Sequence, residues 1–257
     1  MKLKFICLNM WFGGKLFENI QAFIAEENPD ILCLQEVYQA EVADLKQPWH
    51  AVSNLAKILG YEHYAFVPAF AEEVETGYRV QFGNAIISRY PIKKSQSVFY
   101  DVPYNGNWHP ATRDDIQYTP RNLQHGEIII NEKILHVFNT QGIWGFDGDD
   151  TERRLHMGDT IVKEIRGKQP ALLMGDFNLQ EGGKTTDKIE QHMHSVFKGE
   201  MKTSFNMNHK DPNSGYATAI VDMMFVSEDI QVISHHVSGA DVSDHLGLVA
   251  EFEVPLT

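Results

Sequence analysis

The sequence predicts a four-layer α/β sandwich, with two mixed β-sheets packed face to face and helices on the outside. Three observations carry this expectation. Two nearly continuous apolar runs, residues 3–9 (LKFICLN) and 31–37 (ILCLQEV), have the character of strands buried on both faces. From Tyr61 onward a long stretch shows strand rather than helix patterning, and helical spacing is confined to a few segments flanking such strands. The chain has 257 residues, 43% of them hydrophobic, which is enough for one large core. No short repeat or low-complexity linker divides it, so residues 1–257 are expected to form one domain.

The elements follow in order. After the strand at 3–9, Leu16, Ile20, Phe23 and Ile24 fall at i, i+4, i+7 and i+8, one face of a helix that Pro29-Asp30 ends just before the strand at 31–37. A second helix is expected over about 41–59, with Trp49, Val52, Leu55, Ala56 and Leu59 as its inner stripe and Gly60 as its stop. Strands are then expected at 61–67, 82–88 and 95–102. Those at 122–130 and 133–140 are joined at Asn131-Glu132, a hairpin connection. Helical spacing returns at 152–165, followed by a buried strand at 171–176 and further strands at 219–227, 230–237 and 246–254.

Composition excludes several function classes. Against 22 Lys+Arg stand 35 Asp+Glu, a net charge of -13, which opposes long-range attraction to phosphate polymers. A phosphate site must then be built locally, and a divalent cation inverts the potential of a carboxylate-lined cleft. No run approaches the roughly 18 apolar residues of a membrane span, and the N-terminus lacks a signal-peptide layout, so a cytoplasmic protein is expected. Cys7 and Cys33, the only cysteines, lie in apolar strand runs and are expected to be buried thiols rather than zinc ligands. Gly183-Lys184-Thr185 fails as a phosphate loop because Asn178 stands at the first glycine position. Gly14-Lys15 fails likewise, with Asn9 in that place and Leu16 after the lysine. The pairs His192/His194 and His235/His236 lack a recognised ligand spacing and are expected at or near the surface.

Polar residues at the ends of buried strands are the candidates for chemistry, because a strand holds such groups rigidly at a solvent-accessible rim. They are Asn9, Gln35-Glu36, Asn139 to Gln141, Gly175 to Asn178, and Ser243 to His245. Carboxylates and carboxamides suit hard divalent cations, and a histidine beside an aspartate supplies a titratable partner. The blocks LNMW, LCLQEV, GNAIISRYPI, MGDFNL, IVDMMFVS and VSDHLGLV, in that order, resemble the signature blocks of the endonuclease/exonuclease/phosphatase superfamily over nearly the whole chain.

The resemblance implies the same four-layer sandwich and a Mg²⁺- or Mn²⁺-dependent phosphoester hydrolase, foremost a phosphodiesterase acting on nucleic acid or a small diester. A phosphomonoesterase for a sugar, inositol or nucleotide phosphate is the alternative. By the same resemblance, Glu36 and Asn9 are the metal-binding pair, with Asp244 a further ligand. Asp176 and Asn178 orient or deprotonate the attacking water, and His245 is the catalytic histidine held by Asp222. Gln141 departs from the pattern, since many relatives carry a phosphate-binding histidine or tyrosine there. That departure raises a third reading, a catalytically weak phospholigand-binding module, and the expectation that a histidine at 141 would raise turnover. Arg121 and Arg79 are candidate phosphate ligands. Trp108 and Trp144 are candidate substrate-rim residues on long loops. A monomer is expected.

Overall fold

The computed structural model describes residues 1–256 except 43, 44, 46, 75, 76, 214, 215 and 217. Strand β1 (Lys2–Asn9) leads through a short helical turn, α1 (Trp11–Gly14), into helix α2 (Phe17–Glu27) and strand β2 (Ile31–Gln39). Helix α3 (Ala51–Leu59) precedes β3 (His63–Glu73), β4 (Arg79–Ser88) and β5 (Ile92–Phe99), then a 3₁₀ turn (Arg113–Tyr118). The hairpin β6 (Asn122–Ile130) and β7 (Lys133–Gln141), helix α4 (Glu152–Ile165), β8 (Ala171–Asp176) and α5 (Lys184–Glu190) follow. Strands β9 (His194–Ser195), β10 (Asp222–Val226), β11 (Gln231–Val237) and β12 (Leu248–Glu253) complete the described elements.

The strands form two six-stranded sheets. Sheet 1 has the order β11-β12-β1-β2-β4-β3, and sheet 2 the order β5-β6-β7-β8-β10-β9. Both are mixed: β1 runs parallel to β2 and β7 parallel to β8, while the other neighbours are antiparallel. Alternation along each strand explains the layering. Leu3, Phe5 and Cys7 of β1 meet Leu135, Val137 and Met174 between the sheets. Ile6 and Leu8 point the other way, against Ile20 and Phe23 of α2 and Val52 and Leu55 of α3. On the far side Phe138 and Leu173 pack against Met157, Ile161 and Ile165 of α4. Each such side chain removed from water contributes on the order of 1.5–3 kcal/mol.

Polar side chains also cross between the sheets. Gln35 Nε2 donates to Asn139 Oδ1 at 2.6 Å, and Asn139 Nδ2 donates to the carbonyls of Leu34 and Ala85, both at 3.0 Å. Asn84 Nδ2 donates to Asn122 Oδ1 at 3.1 Å, and Gln124 Nε2 to Ala65 O at 2.9 Å. Gln35, Asn84, Asn122, Gln124 and Asn139 are all buried, so these bonds replace the water that their amides lose on folding.

The hairpin at Asn131-Glu132 has φ of 50° and 65°, as a two-residue turn with both central residues left-handed requires. Cys7 and Cys33 are buried and free. Helix α3 is shorter than expected: it starts at Ala51, and positions 43, 44 and 46 of the expected helix lie outside the described residues. Pro48 biases Gln47 away from helical geometry. Trp49 therefore precedes the helix, where its ring meets Tyr38 edge-on at 4.9 Å. Strand β3 runs on to Glu73, past its expected end, and β10 starts at Asp222 rather than 219. Helix α5 was not foreseen. It starts at the Gly183-Lys184-Thr185 segment, whose amides donate to the Asp150 carboxylate at 2.6 and 3.1 Å, so a carboxylate of the chain itself occupies the place of a phosphate. Among the described residues no helix is long and apolar enough to cross a membrane.

Candidate active site

Two parallel strand pairs end at one rim of the sandwich. In sheet 1 the register sets Asn9 of β1 beside Gln35 of β2, and in sheet 2 Gln141 of β7 beside Asp176 of β8, with Asp222 at the start of β10 opposite Asp176. Gly175 makes this convergence possible, because its φ is +150° and a Cβ there would lie 2.0 Å from Thr140 O.

Glu36 sits at a register shift between Leu34 and Val37 in the β2/β4 pairing, with φ +56°. A left-handed glutamate is strained by about 1–3 kcal/mol, and the bulge turns its carboxylate into the cleft. Glu36 Oε1 accepts from Gln141 Nε2 at 2.8 Å and Oε2 from Phe12 N at 3.2 Å. Phe12 and Trp11 are left-handed as well, and α1 is broken at Phe12 and Gly13. Asn9 Oδ1 accepts from Trp11 N at 3.0 Å, while its amide donates to Asp176 Oδ2 at 3.1 Å.

Asp176 Oδ1 accepts from Asn178 N at 2.9 Å, and Oδ2 accepts from Asn178 Nδ2 at 3.1 Å. Its pKa is raised to about 6: burial disfavours the anion, His245 pulls the other way, and Asp222 and Glu36 add repulsion. Asp222 Oδ2 lies 2.8 Å from His245 Nδ1, and both residues are buried. Burial opposes the imidazolium, but Asp222, by charge and hydrogen bond, with Asp176 and Asp244 behind it, outweighs that effect and raises His245 to about 10. His245 is thus a cation near neutral pH, pointing its second ring nitrogen away from the Asp222 bond. The potential ligand atoms of Asp176, Asp222 and His245 lie within 4.8 Å of one another.

Glu36, Asp176, Asn178 and His245 line a cleft of about 800 Å³, whereas buried Asn9 and Asp222 are not among its lining residues. Trp108 and Trp144 are part of its wall, and buried Arg121 reaches it. Arg79 is not among the lining residues: it is exposed at the start of β4 and donates to Asn107 Oδ1 at 3.0 Å. Asp244 Oδ2 is 2.8 Å from Lys210 Nζ, so a cation of the chain already faces the expected metal-ligand position. Gln141 is 2% exposed and does not line the cleft. Its carbonyl oxygen accepts from Arg121 Nη1 and its amide holds Glu36, so it links a buried guanidinium to the carboxylate.

That linkage reverses the expectation for a histidine at 141. Imidazole carries its donor and acceptor on different sides of a rigid ring rather than on one amide carbon, so it does not reproduce the Gln141 bridge, and once protonated it has no acceptor for Arg121. Gln141→His is therefore expected to lower turnover by about tenfold or more, chiefly through kcat as Glu36 loses its support. Steady-state kinetics at matched thermal stability check this, and a gain in kcat would return residue 141 to the reacting phosphate.

Reading of the sequence missed the aromatic wall formed by Phe12, Phe70, Phe82, Phe146 and Tyr216, and the cation Lys210. Phe70 and Phe82 stack with centroids 4.7 Å apart, and Arg113 stands 5.6 Å over Phe146. Phe12 (49%) and Phe146 (42%) are exposed, and no periodicity marks them as cleft residues.

The profile of the Endonuclease/Exonuclease/phosphatase family matches residues 6–245. An endonuclease/exonuclease/phosphatase from Beutenbergia cavernae superposes with a TM-score of 0.73 at 19% identity, over 98% of this chain and 72% of that one. D. rerio TDP2 complexed with single strand DNA product gives 0.69 at 16% identity, covering 98% and 99% of the two chains. The Bacteroides thetaiotaomicron mannosyl-6-phosphatase gives 0.64 at 18% identity with the same coverage. No curated sequence matches the chain.

Proposed function

The chain belongs to the endonuclease/exonuclease/phosphatase family and is a phosphoester hydrolase, and from that premise we propose a Mg²⁺- or Mn²⁺-dependent phosphodiesterase. The neighbours include both a DNA-bound TDP2 and a mannosyl-6-phosphatase, so the fold leaves diester and monoester chemistry equally open. The aromatic wall of the cleft favours the diester, and this observation carries the reading. Phe12, Phe70, Phe82, Phe146 and Tyr216 line it, which gives apolar surface for a substituent on each side of a phosphate, whereas a monoester carries only one.

The donor set suits a hard cation. Glu36 keeps lone pairs on both oxygens after one hydrogen bond to each, Asn9 Oδ1 accepts only one bond, and Asp222 Oδ1 is buried without a protein partner. Glu36 and Asn9 would hold the ion through oxygen atoms. When bound, such an ion polarises a phosphoryl oxygen and offsets the negative charge of the cleft. We assign Asp244 to the pairing with Lys210 rather than to the metal.

Asp176 accepts the proton of the attacking water. A carboxylate near pKa 6 is poised for this at neutral pH. The Asn178 and Asn9 amides fix its two oxygens, leaving the remaining lone pair of Oδ1 to direct the water. Protonated His245, fixed by Asp222, donates its other N–H to the oxygen on which charge accumulates. Arg121, through Gln141, keeps Glu36 in place.

The test is hydrolysis of bis-p-nitrophenyl phosphate, p-nitrophenyl phosphate and oligonucleotides with Mg²⁺, Mn²⁺ or EDTA. Diester turnover that EDTA abolishes is expected, together with a large loss of Mn²⁺ affinity in Glu36→Gln by calorimetry. A monoester preference would install the phosphatase reading. Absence of turnover on any ester would install the binding-module reading, and unchanged Mn²⁺ affinity would remove Glu36 from the site.

A further inference from the structure

A second cluster of metal-ligating side chains lies outside the cleft. On the hairpin β6/β7, Glu127 pairs directly with His136 and His125 with Phe138. His125 and Glu127 are two residues apart and so share a face, and the register puts His136 on that face too. This is the outer face of sheet 2, since Phe138, two residues beyond His136, packs into the layer beneath α4. Gln141 is five residues farther along β7, on the order of 16 Å away, and points to the opposite face.

The potential ligand atoms of the three residues lie within 4.8 Å of one another, and His125 Nε2 is 3.0 Å from His136 Nδ1. The edge of a tetrahedron of nitrogens about 2.0–2.1 Å from a zinc ion is about 3.3 Å, so the two facing nitrogens stand close to ligand spacing already. Glu127 is half-buried, which leaves its side chain room to turn toward the two nitrogens. His125 is 4% exposed and stacks on Phe138 with centroids 4.3 Å apart, which fixes its ring. Its Nδ1 is buried and has no partner. A metal between the two facing nitrogens would take the place of their shared proton, with His125 Nδ1 carrying that ring's hydrogen.

We propose that His125, Glu127 and His136 form a second cation site, for a borderline transition metal such as Zn²⁺ or Co²⁺, which ties β6 to β7 and is separate from the catalytic carboxylates. Burial lowers the pKa of both histidines, His125 to about 4, leaving the neutral imidazoles that a metal requires. The ligand type, rather than the surrounding charge, sets the selectivity. Lys94 is opposite Glu127 in the β5/β6 register, and Lys168 Nζ stands 5.8 Å from the Phe138 ring. These cations weaken the hold on any dication, so binding rests on the two imidazole nitrogens, which favour the zinc class over Mg²⁺.

The experiment titrates metal-free protein with Co²⁺ and Zn²⁺ in a large excess of Mg²⁺, which keeps the catalytic carboxylates occupied. One equivalent of Co²⁺ should develop the visible absorption of a low-coordinate N₂O site, and Zn²⁺ should displace it. Zn²⁺ at about 100 times its dissociation constant should raise the melting temperature by about 5 °C or more. Glu127→Gln, His136→Gln and His125→Phe should each weaken Co²⁺ binding by about tenfold or more and leave diester hydrolysis unchanged. His125→Phe keeps the stack on Phe138, and Glu127→Gln alters a half-exposed side chain, so a misfolded variant does not decide the outcome. Absence of saturable Co²⁺ binding in excess Mg²⁺, or binding that survives all three substitutions, would overturn the proposal.

Discussion

Asp176→Asn and His245→Gln are each expected to lower turnover of an accepted phosphoester by roughly 10²- to 10⁴-fold, the range for a positioned base or a charged group at a developing oxyanion. Glutamine is preferred to alanine at 245 because it can still donate to Asp222, which would otherwise be left as a buried, unpaired anion. It removes the cation while largely sparing the fold. The pH profile separates the two roles. Asp176 must be ionised and His245 protonated, so kcat should rise as pH passes about 6 and fall as it passes about 10. A bound divalent cation stabilises the Asp176 anion and moves the acidic limb to lower pH. Asp176→Asn should erase that limb, and His245→Gln the alkaline one. Wild-type turnover in either variant, folded by circular dichroism, would remove that residue from the chemistry.

The largest effect on stability is expected at Arg154, 1% exposed on α4. Its guanidinium donates to the carbonyls of Ile143, Asp147, Asp149 and Asn178 at 3.1, 2.9, 2.6 and 2.7 Å, and reaches Asp147 Oδ1 at 3.4 Å. It thus organises the loop that carries Trp144 and fastens that loop to the residue following Phe177. Arg154→Met keeps much of the volume but strips several carbonyls of their donor, each worth about 1 kcal/mol or more when buried. A loss of about 3–5 kcal/mol is expected, a fall in melting temperature on the order of 10 °C by calorimetry. A change below about 1 kcal/mol would mean that water replaces the guanidinium at no cost. Because Asn178 shares this support, the variant should also be slower when assayed well below its melting temperature.

Strands that form the middle of the sheets were legible because burial on both faces leaves continuous apolar runs, as in β1, β2 and β8. Their polar last residues were legible as a site because such residues have no business in an apolar run. The Asn131-Glu132 turn was legible from its spacing alone. What escaped has a common cause: it depends on partners distant in sequence. Helix α5 is anchored by Asp150, 34 residues before Lys184, and α3 is delayed by the chain around Pro48. Gln141 reads in the sequence as a weakened phosphate ligand because neither Arg121 nor Glu36 is near it in the chain. Arg79 drew notice by chemical type only, and the structure gives it to Asn107. Phe12 enters the cleft through a left-handed turn that no pattern announces.

The amides that cross between the sheets have a mechanical consequence. Apolar contacts between two plates resist sliding through shape alone, since they are non-directional, and they fix the offset less sharply than hydrogen bonds do. Here the catalytic groups are split between the plates: Asn9 and Glu36 ride on one, Asp176, Asp222 and Gln141 on the other. Their spacing is therefore a shear coordinate of the whole sandwich rather than a property of any loop. The bonds from Asn139 to Gln35, Leu34 and Ala85 are short and directional, and they act as a dowel driven through both plates. Sideways travel of a single ångström would break them, so the dowel locks the working gap of the enzyme from inside the core, out of reach of the solvent that bathes its rim.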